Sequence, residues 1–102
     1  MSFLSDLFAS PPVERQYRDE VTQLTAELIQ IGKTEDFLAE HYTSGFNPQF
    51  RHVRTREIGK RLDTLGGLPL MQFVFQKVRR KVGKMIGEHL EYAWDGIGKW
   101  QA

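Results

Sequence analysis

There is no cysteine among the 102 residues. Disulfides, thiolate metal ligands and thiol nucleophiles are therefore excluded, and the composition fits a reducing compartment. Long apolar runs are missing as well, since nothing approaches the ~18 consecutive apolar residues of a membrane-spanning helix. The opening Met1-Ser2-Phe3-Leu4-Ser5-Asp6-Leu7-Phe8 has no basic residue and only a short apolar stretch, so it does not read as a secretory signal. A cytoplasmic protein with no transmembrane segment is expected. No stretch pairs period-two alternation with turn chemistry, which leaves no candidate strand. Positive charge is scarce in the first half alone: residues 1–50 carry three Lys/Arg against eight Asp/Glu, and residues 51–102 carry eleven against five. A chain of formal net charge +1 is thus strongly dipolar along its length.

What is present is helical periodicity in an ordinary globular composition, with 40% hydrophobic and 26% charged residues. Ser10-Pro11-Pro12 combines a capping residue with prolines suited to a first helical turn. Tyr17, Val21, Leu24, Leu28 and Ile31 then recur at spacings of four and three, the stripe of an amphipathic helix, and Gly32 is placed to stop it. Thr34-Glu35-Asp36 resembles a second cap, opening a short helical segment through Phe37 to about His41 before a loop at Tyr42–Phe46. Asn47-Pro48 repeats the cap-plus-proline start of a helix that runs to Leu65, with Ile58, Leu62 and Leu65 inward. Gly66-Gly67 ends it, and Leu68-Pro69 opens another almost at once, so the two helices must be neighbours, folded as a hairpin or an angled pair. Met71, Val74, Phe75, Val78 and Val82 form its buried stripe, Gly83 its stop, and Ile86, Leu90, Ala93 and Ile97 the inner face of a last helix. The fold class expected is all-α: a compact bundle of four main helices plus a short helical segment, with residues 10–102 as a single domain and residues 1–9 as an amphipathic N-terminal arm.

Charge supplies the first candidate site. Between Arg51 and Lys84 ten basic residues meet only Glu57 and Asp63. Arg54, Arg61, Arg79, Arg80 and Lys84 are expected to contribute to one basic face able to receive an acidic partner. The bland counterpart is a solvated face, or an internal complement to the acidic first helix, because Lys and Arg stems cover apolar surface and their charges suit helix C-termini. Phosphate backbones also bind basic helices, and the turn at Gly66-Gly67 superficially resembles a DNA-reading helix pair. Against that, the turns after it begin Pro69, Leu70, Met71 and Phe73, where a recognition helix would offer polar side chains to bases.

The remaining candidates carry less. His41, His52 and His89 lie near Glu40, Glu88 and Glu91, yet neither Glu-x-x-His nor His-Glu-x-x-His occurs, so no metal or cofactor is expected. No nucleophile or oxyanion donor can be nominated beside His89, so no enzyme is expected. The glycines form no phosphate-binding fingerprint and read as helix stops at Gly66, Gly83 and Gly96, with a close helix approach at Gly87 and Ile97 folding back toward Tyr92. Large apolar residues gather at both ends: Tyr92, Trp94 and Trp100 late in the chain, and Phe3, Leu4, Leu7 and Phe8 early. Trp94 is read as a clamp on the termini, and Phe3 and Phe8 as an apolar arm for a partner or a second copy.

The run Arg51-His52-Val53-Arg54-Thr55-Arg56-Glu57-Ile58-Gly59, the Gly66-Gly67 turn and the ending Leu90-Glu91-Tyr92-Ala93-Trp94-Asp95-Gly96-Ile97-Gly98 resemble a group of small uncharacterised bacterial all-helical proteins. The resemblance implies a bacterial origin and assigns no site. The function expected from the residues is a small non-enzymatic interaction or regulatory protein, self-associating as a homo-oligomer or docking on an acidic protein partner. The alternative is a nucleic-acid-associated protein that grips phosphate through helices 47–65 and 69–84.

Overall fold

The computed structural model describes residues 10–34, Phe37 and residues 49–102. The arm 1–9, most of the short segment expected after Gly32 and the Asn47-Pro48 helix start lie outside them. Residues 10–14 approach in a turn closed by the Val13 N–H on the Pro11 carbonyl at 2.8 Å. A 3₁₀ turn, Arg15–Tyr17, follows, and then three helices: α1, Arg18–Thr34; α2, Gln49–Val82; and α3, Lys84–Ala93. The described residues are all-α, with no strand.

The expected helix pair is present within α2 as two helices that meet at a break at Gly67, so the main helices number three only when this span is taken as one element. Gly67 sits at φ 67° and ψ −158°, a conformation open in practice only to glycine, and helical hydrogen bonding resumes on either side of it. Pro69 then occupies the first turn of the second arm, where its missing N–H costs nothing. Residues 49–66 and 68–82 are therefore two arms joined by a tight bend.

The contacts of α1 fix how the arms lie. Its Glu20 and Glu27 pair with Arg61 and Arg54, so α1 runs antiparallel to the first arm. Pro12, just before it, meets Gly66 at the bend, and Gly32, near its end, meets Val82, so it runs parallel to the second arm. The arms are thus antiparallel to each other and form a helical hairpin. α3 turns back at Gly83 (φ 94°) and lays Gly87 on Arg79, while the residues after it reach Trp100 against Phe75 and Gln101 against Gln72.

One core joins all the elements. Val21 and Leu28 of α1 meet Ile58, Leu62, Leu70, Met71, Val74, Phe75 and Val78 of α2, with Leu90, Ala93, Trp94 and Ile97 closing it from the C-terminal side and Phe37 buried in the same cluster. Three local expectations are corrected. α1 begins at Arg18 rather than at the prolines, and it runs through Gly32 to Thr34. Gly32 is a contact and not a stop, since a Cβ there would fall 2.7 Å from Val82 and 2.9 Å from Phe37. The buried line of α1 is Val21, Thr25, Leu28, Gly32, with Leu24 and Ile31 only half-buried on its flank. Thr25 can occupy that line because its hydroxyl donates to the Val21 carbonyl at 2.7 Å.

The C-terminal residues are clamped from the first arm. Trp94 is fully buried over Gly59, and its indole N–H donates to the Thr55 carbonyl at 3.0 Å. Trp100 stacks edge-on against both Trp94 and Phe75, at centroid distances of 5.0 and 5.3 Å. Ile97 is drawn in beside Trp94 on Gly59, whereas Tyr92 points to solvent, 68% exposed. Trp94 thereby holds the tail that follows α3 on the hairpin.

Candidate functional site

The helical period sorts α1 into three strips. Val21, Thr25, Leu28 and Gly32 point inward; Glu20 and Glu27 lie on one flank; Thr22, Ala26 and Ile29 lie on the other. The two flanks meet the basic residues of α2 in different ways.

On the acidic flank the cations are neutralised. Arg54 forks onto Glu27 through Nε and Nη2, the latter at 2.9 Å from Oε1, and its Nη1 reaches Glu57 one helical turn on at 3.4 Å. Arg61 does the same to Glu20, at 2.6 and 3.0 Å, with its guanidinium 5.8 Å from the centre of the Tyr17 ring. The hydrogen bonds from the arginines hold the carboxyls of Glu20 and Glu27 below the ordinary glutamate range, and the same bonds raise both arginines. Two of the five residues expected on the basic face thus serve as the internal complement to the acidic helix.

A third cation is also committed. Both Nη1 hydrogen bonds of Arg56, at 2.8 Å, go to the carbonyls of Ala93 and Asp95, at and just beyond the end of α3, where helix carbonyls run short of N–H partners. Arg79 places its Cβ and Cγ beneath Gly87, in the close approach expected at that glycine. Lys84 is exposed at the start of α3. The five residues Arg54, Arg61, Arg79, Arg80 and Lys84 therefore do not converge on one face: α1 separates the first two from Arg80, and α3 covers Arg79.

The other flank of α1 is open. Between it and the second arm runs a groove of about 590 Å³, with Val21, Ala26 and Ile29 on one wall, Phe73 on the other and Pro11 at one end. Lys77, Arg80 and Lys81 rim it. Lys77 holds its ammonium 5.1 Å from the centre of the Phe73 ring, and no carboxylate among the described residues pairs with any of the three. A second groove of about 520 Å³ continues across the ridge of Phe73, Lys77 and Arg80 toward Pro12, Gln72 and Ala102. Lys77 and Lys81 did not stand out from the basic run, although their spacing with Arg80, at i, i+3 and i+4, places all three on one helical face.

No protein-family model, curated protein or solved structure matches this chain. Among the described residues no three His, Asp or Glu side chains gather in a metal-binding group, and no helix is long and apolar enough to cross a membrane. His89 is half-buried on α3, and His41 and the side chain of His52 lie outside the described residues, as do Phe3 and Phe8.

Proposed function

We propose that this chain is a small, cytoplasmic, non-enzymatic interaction module that docks an acidic amphipathic segment of a partner protein in the groove between α1 and the second arm of α2. One observation carries the reading. An apolar trough built from Val21, Ala26, Ile29 and Phe73 is bordered by Lys77, Arg80 and Lys81, cations with no carboxylate partner among the described residues. An amphipathic helix laid in such a trough buries its apolar anchors, while its flanking carboxylates meet the rim and set orientation and association rate. The other cationic cluster on this side of the sequence, Arg54 and Arg61, already has its acids within the fold.

The test is a titration of the chain into a fluorescent helical peptide bearing leucines at i, i+3, i+4 and i+7 and glutamates on the flanks. The Arg80→Glu/Lys81→Glu variant is expected to bind about tenfold more weakly or worse, equivalent to about 1.4 kcal/mol, with its melting curve unchanged. A lysine-flanked peptide of equal hydrophobicity should bind poorly. If the peptide fails to bind and duplex DNA binds with a steep salt dependence, the nucleic-acid alternative replaces this reading. If the chain instead sediments as a dimer whose mass falls on charge reversal, the groove serves self-association.

A further inference from the structure

We infer that the groove is the seat of this chain's own residues 3–8, which compete there with an acidic partner. The inference rests on the docking role proposed above and adds its regulation. Three observations lead to it. The described chain begins at Ser10, and the next residue, Pro11, is itself a wall of the groove, so the preceding residues are tethered at its mouth. Those residues, Phe3-Leu4-Ser5-Asp6-Leu7-Phe8, have the composition the groove selects: four large apolar side chains, one acid and no base. Their chemistry complements an apolar floor with a cationic rim at Lys77, Arg80 and Lys81.

Reach is not limiting. The wall from Thr22 to Ile29 covers about 10 Å of helix at 1.5 Å per residue, and the segment preceding Pro11 can extend about 30 Å. Tethering counts for more than the quality of any single contact, since a short linker presents its segment at an effective concentration in the millimolar range. A weak apolar contact is then enough to keep the groove filled. A partner must displace it, and the partner's apparent affinity is the intrinsic affinity multiplied by the fraction of chains whose groove is open.

The absence of cysteine makes the test direct. A nitroxide on Ser5→Cys of the full chain is expected to broaden the amide signals of Thr22, Ala26 and Ile29 selectively. Isotope-labelled chain mixed with spin-labelled chain that carries no isotope separates the two geometries. Broadening confined to the sample whose chains carry both nitroxide and isotope supports the inference, and broadening of equal strength in the mixture overturns it in favour of a second copy. No broadening in either sample also overturns it. A second measurement reads the competition: the full-length Phe3→Ser/Phe8→Ser variant is expected to bind the acidic peptide about fivefold more tightly than the parent. Equal binding by the two chains removes the regulatory claim and leaves the docking reading intact. Absence of peptide binding by both removes the docking reading, while the nitroxide result still decides where residues 3–8 lie.

Discussion

The indole N–H of Trp94 donates to the carbonyl of Thr55 at 3.0 Å, over a point on the first arm where Gly59 has no side chain. A Cβ at Gly59 would stand 2.5 Å from the indole nitrogen and 3.0 Å from Ile97, so the bond and the seating of the ring both depend on the missing methyl. The same carbonyl faces the N–H of Gly59 along the helix, and its two lone pairs serve both donors.

Gly59→Ala follows from that relationship as a test of sign. In an open helix the change stabilises by about 0.5–1 kcal/mol. Here the crowding of a buried indole is expected to reverse it, for a net loss of about 1–3 kcal/mol in urea denaturation, with Trp94 fluorescence shifted toward that of an exposed indole.

Thr55 itself should respond in the opposite direction. Its hydroxyl is fully buried and has no hydrogen-bond partner among the described residues. Thr55→Val keeps the shape and removes the desolvated group, so a gain of up to about 1 kcal/mol is expected by the same denaturation. A loss would show that the hydroxyl is engaged.

Within α1 two leucines separate burial from appearance. Leu28 is fully buried and Leu24 is half-buried on the flank. Leu28→Ala is expected to cost about 2–5 kcal/mol and Leu24→Ala well under half of that. Equal losses would place the core line through Leu24 after all.

Acid should loosen α1 from the first arm. Glu20 and Glu27 titrate below the unfolded value of 4.5 because of their arginine hydrogen bonds, so their stabilisation is complete above that pH and is lost as pH falls through the lowered folded values. Glu27→Gln should cost about 0.2–1 kcal/mol at neutral pH and low salt, in keeping with a part-exposed pair, and less at high salt. The Glu20→Gln/Glu27→Gln chain should show a shallower decline in melting temperature between pH 5 and pH 3 than the parent. Parallel declines would mean that other carboxylates govern the acid limb.

The elements whose side chains announce themselves were legible in order and type. Met71, Val74, Phe75 and Val78 are buried as their spacing predicts, as are Ile58 and Leu62 in the opposing arm, Leu90 and Ala93 in α3 and Ile97 beyond it, while Val82, Leu65 and Ile86 of the same stripes are half-buried against the core. What escaped periodicity was burial by residues that look polar or empty. Thr25 hides by bonding its hydroxyl to its own helix, and Gly32 and Gly59 are buried because neighbours need their space. The charge separation was legible too, but not its use. Opposite signs at distant positions read alike whether they meet or stay apart, and only the packing of α1 shows that Arg54 and Arg61 are internal partners while Lys77, Arg80 and Lys81 border an open groove. The arm 1–9 with Phe3 and Phe8 lies outside the described residues.

The grip of Arg56 on the carbonyls of Ala93 and Asp95 bears on the order in which the molecule assembles. α3 has ten residues, below the roughly 12–15 at which an isolated helix becomes even marginal in water. The Leu90 and Tyr92 carbonyls are met locally by the Trp94 and Asp95 N–H groups and that of Glu91 by the Trp100 indole, but the Ala93 carbonyl gains its partner only when the first arm presents that guanidinium. The short C-terminal helix therefore draws support at its end from a formed hairpin, and it is expected to open before the hairpin does. Amide hydrogens of residues 84–93 are then expected to exchange at a lower opening free energy than those around Leu62 and Val74, and Arg56→Met should widen that gap without quickening exchange in the hairpin.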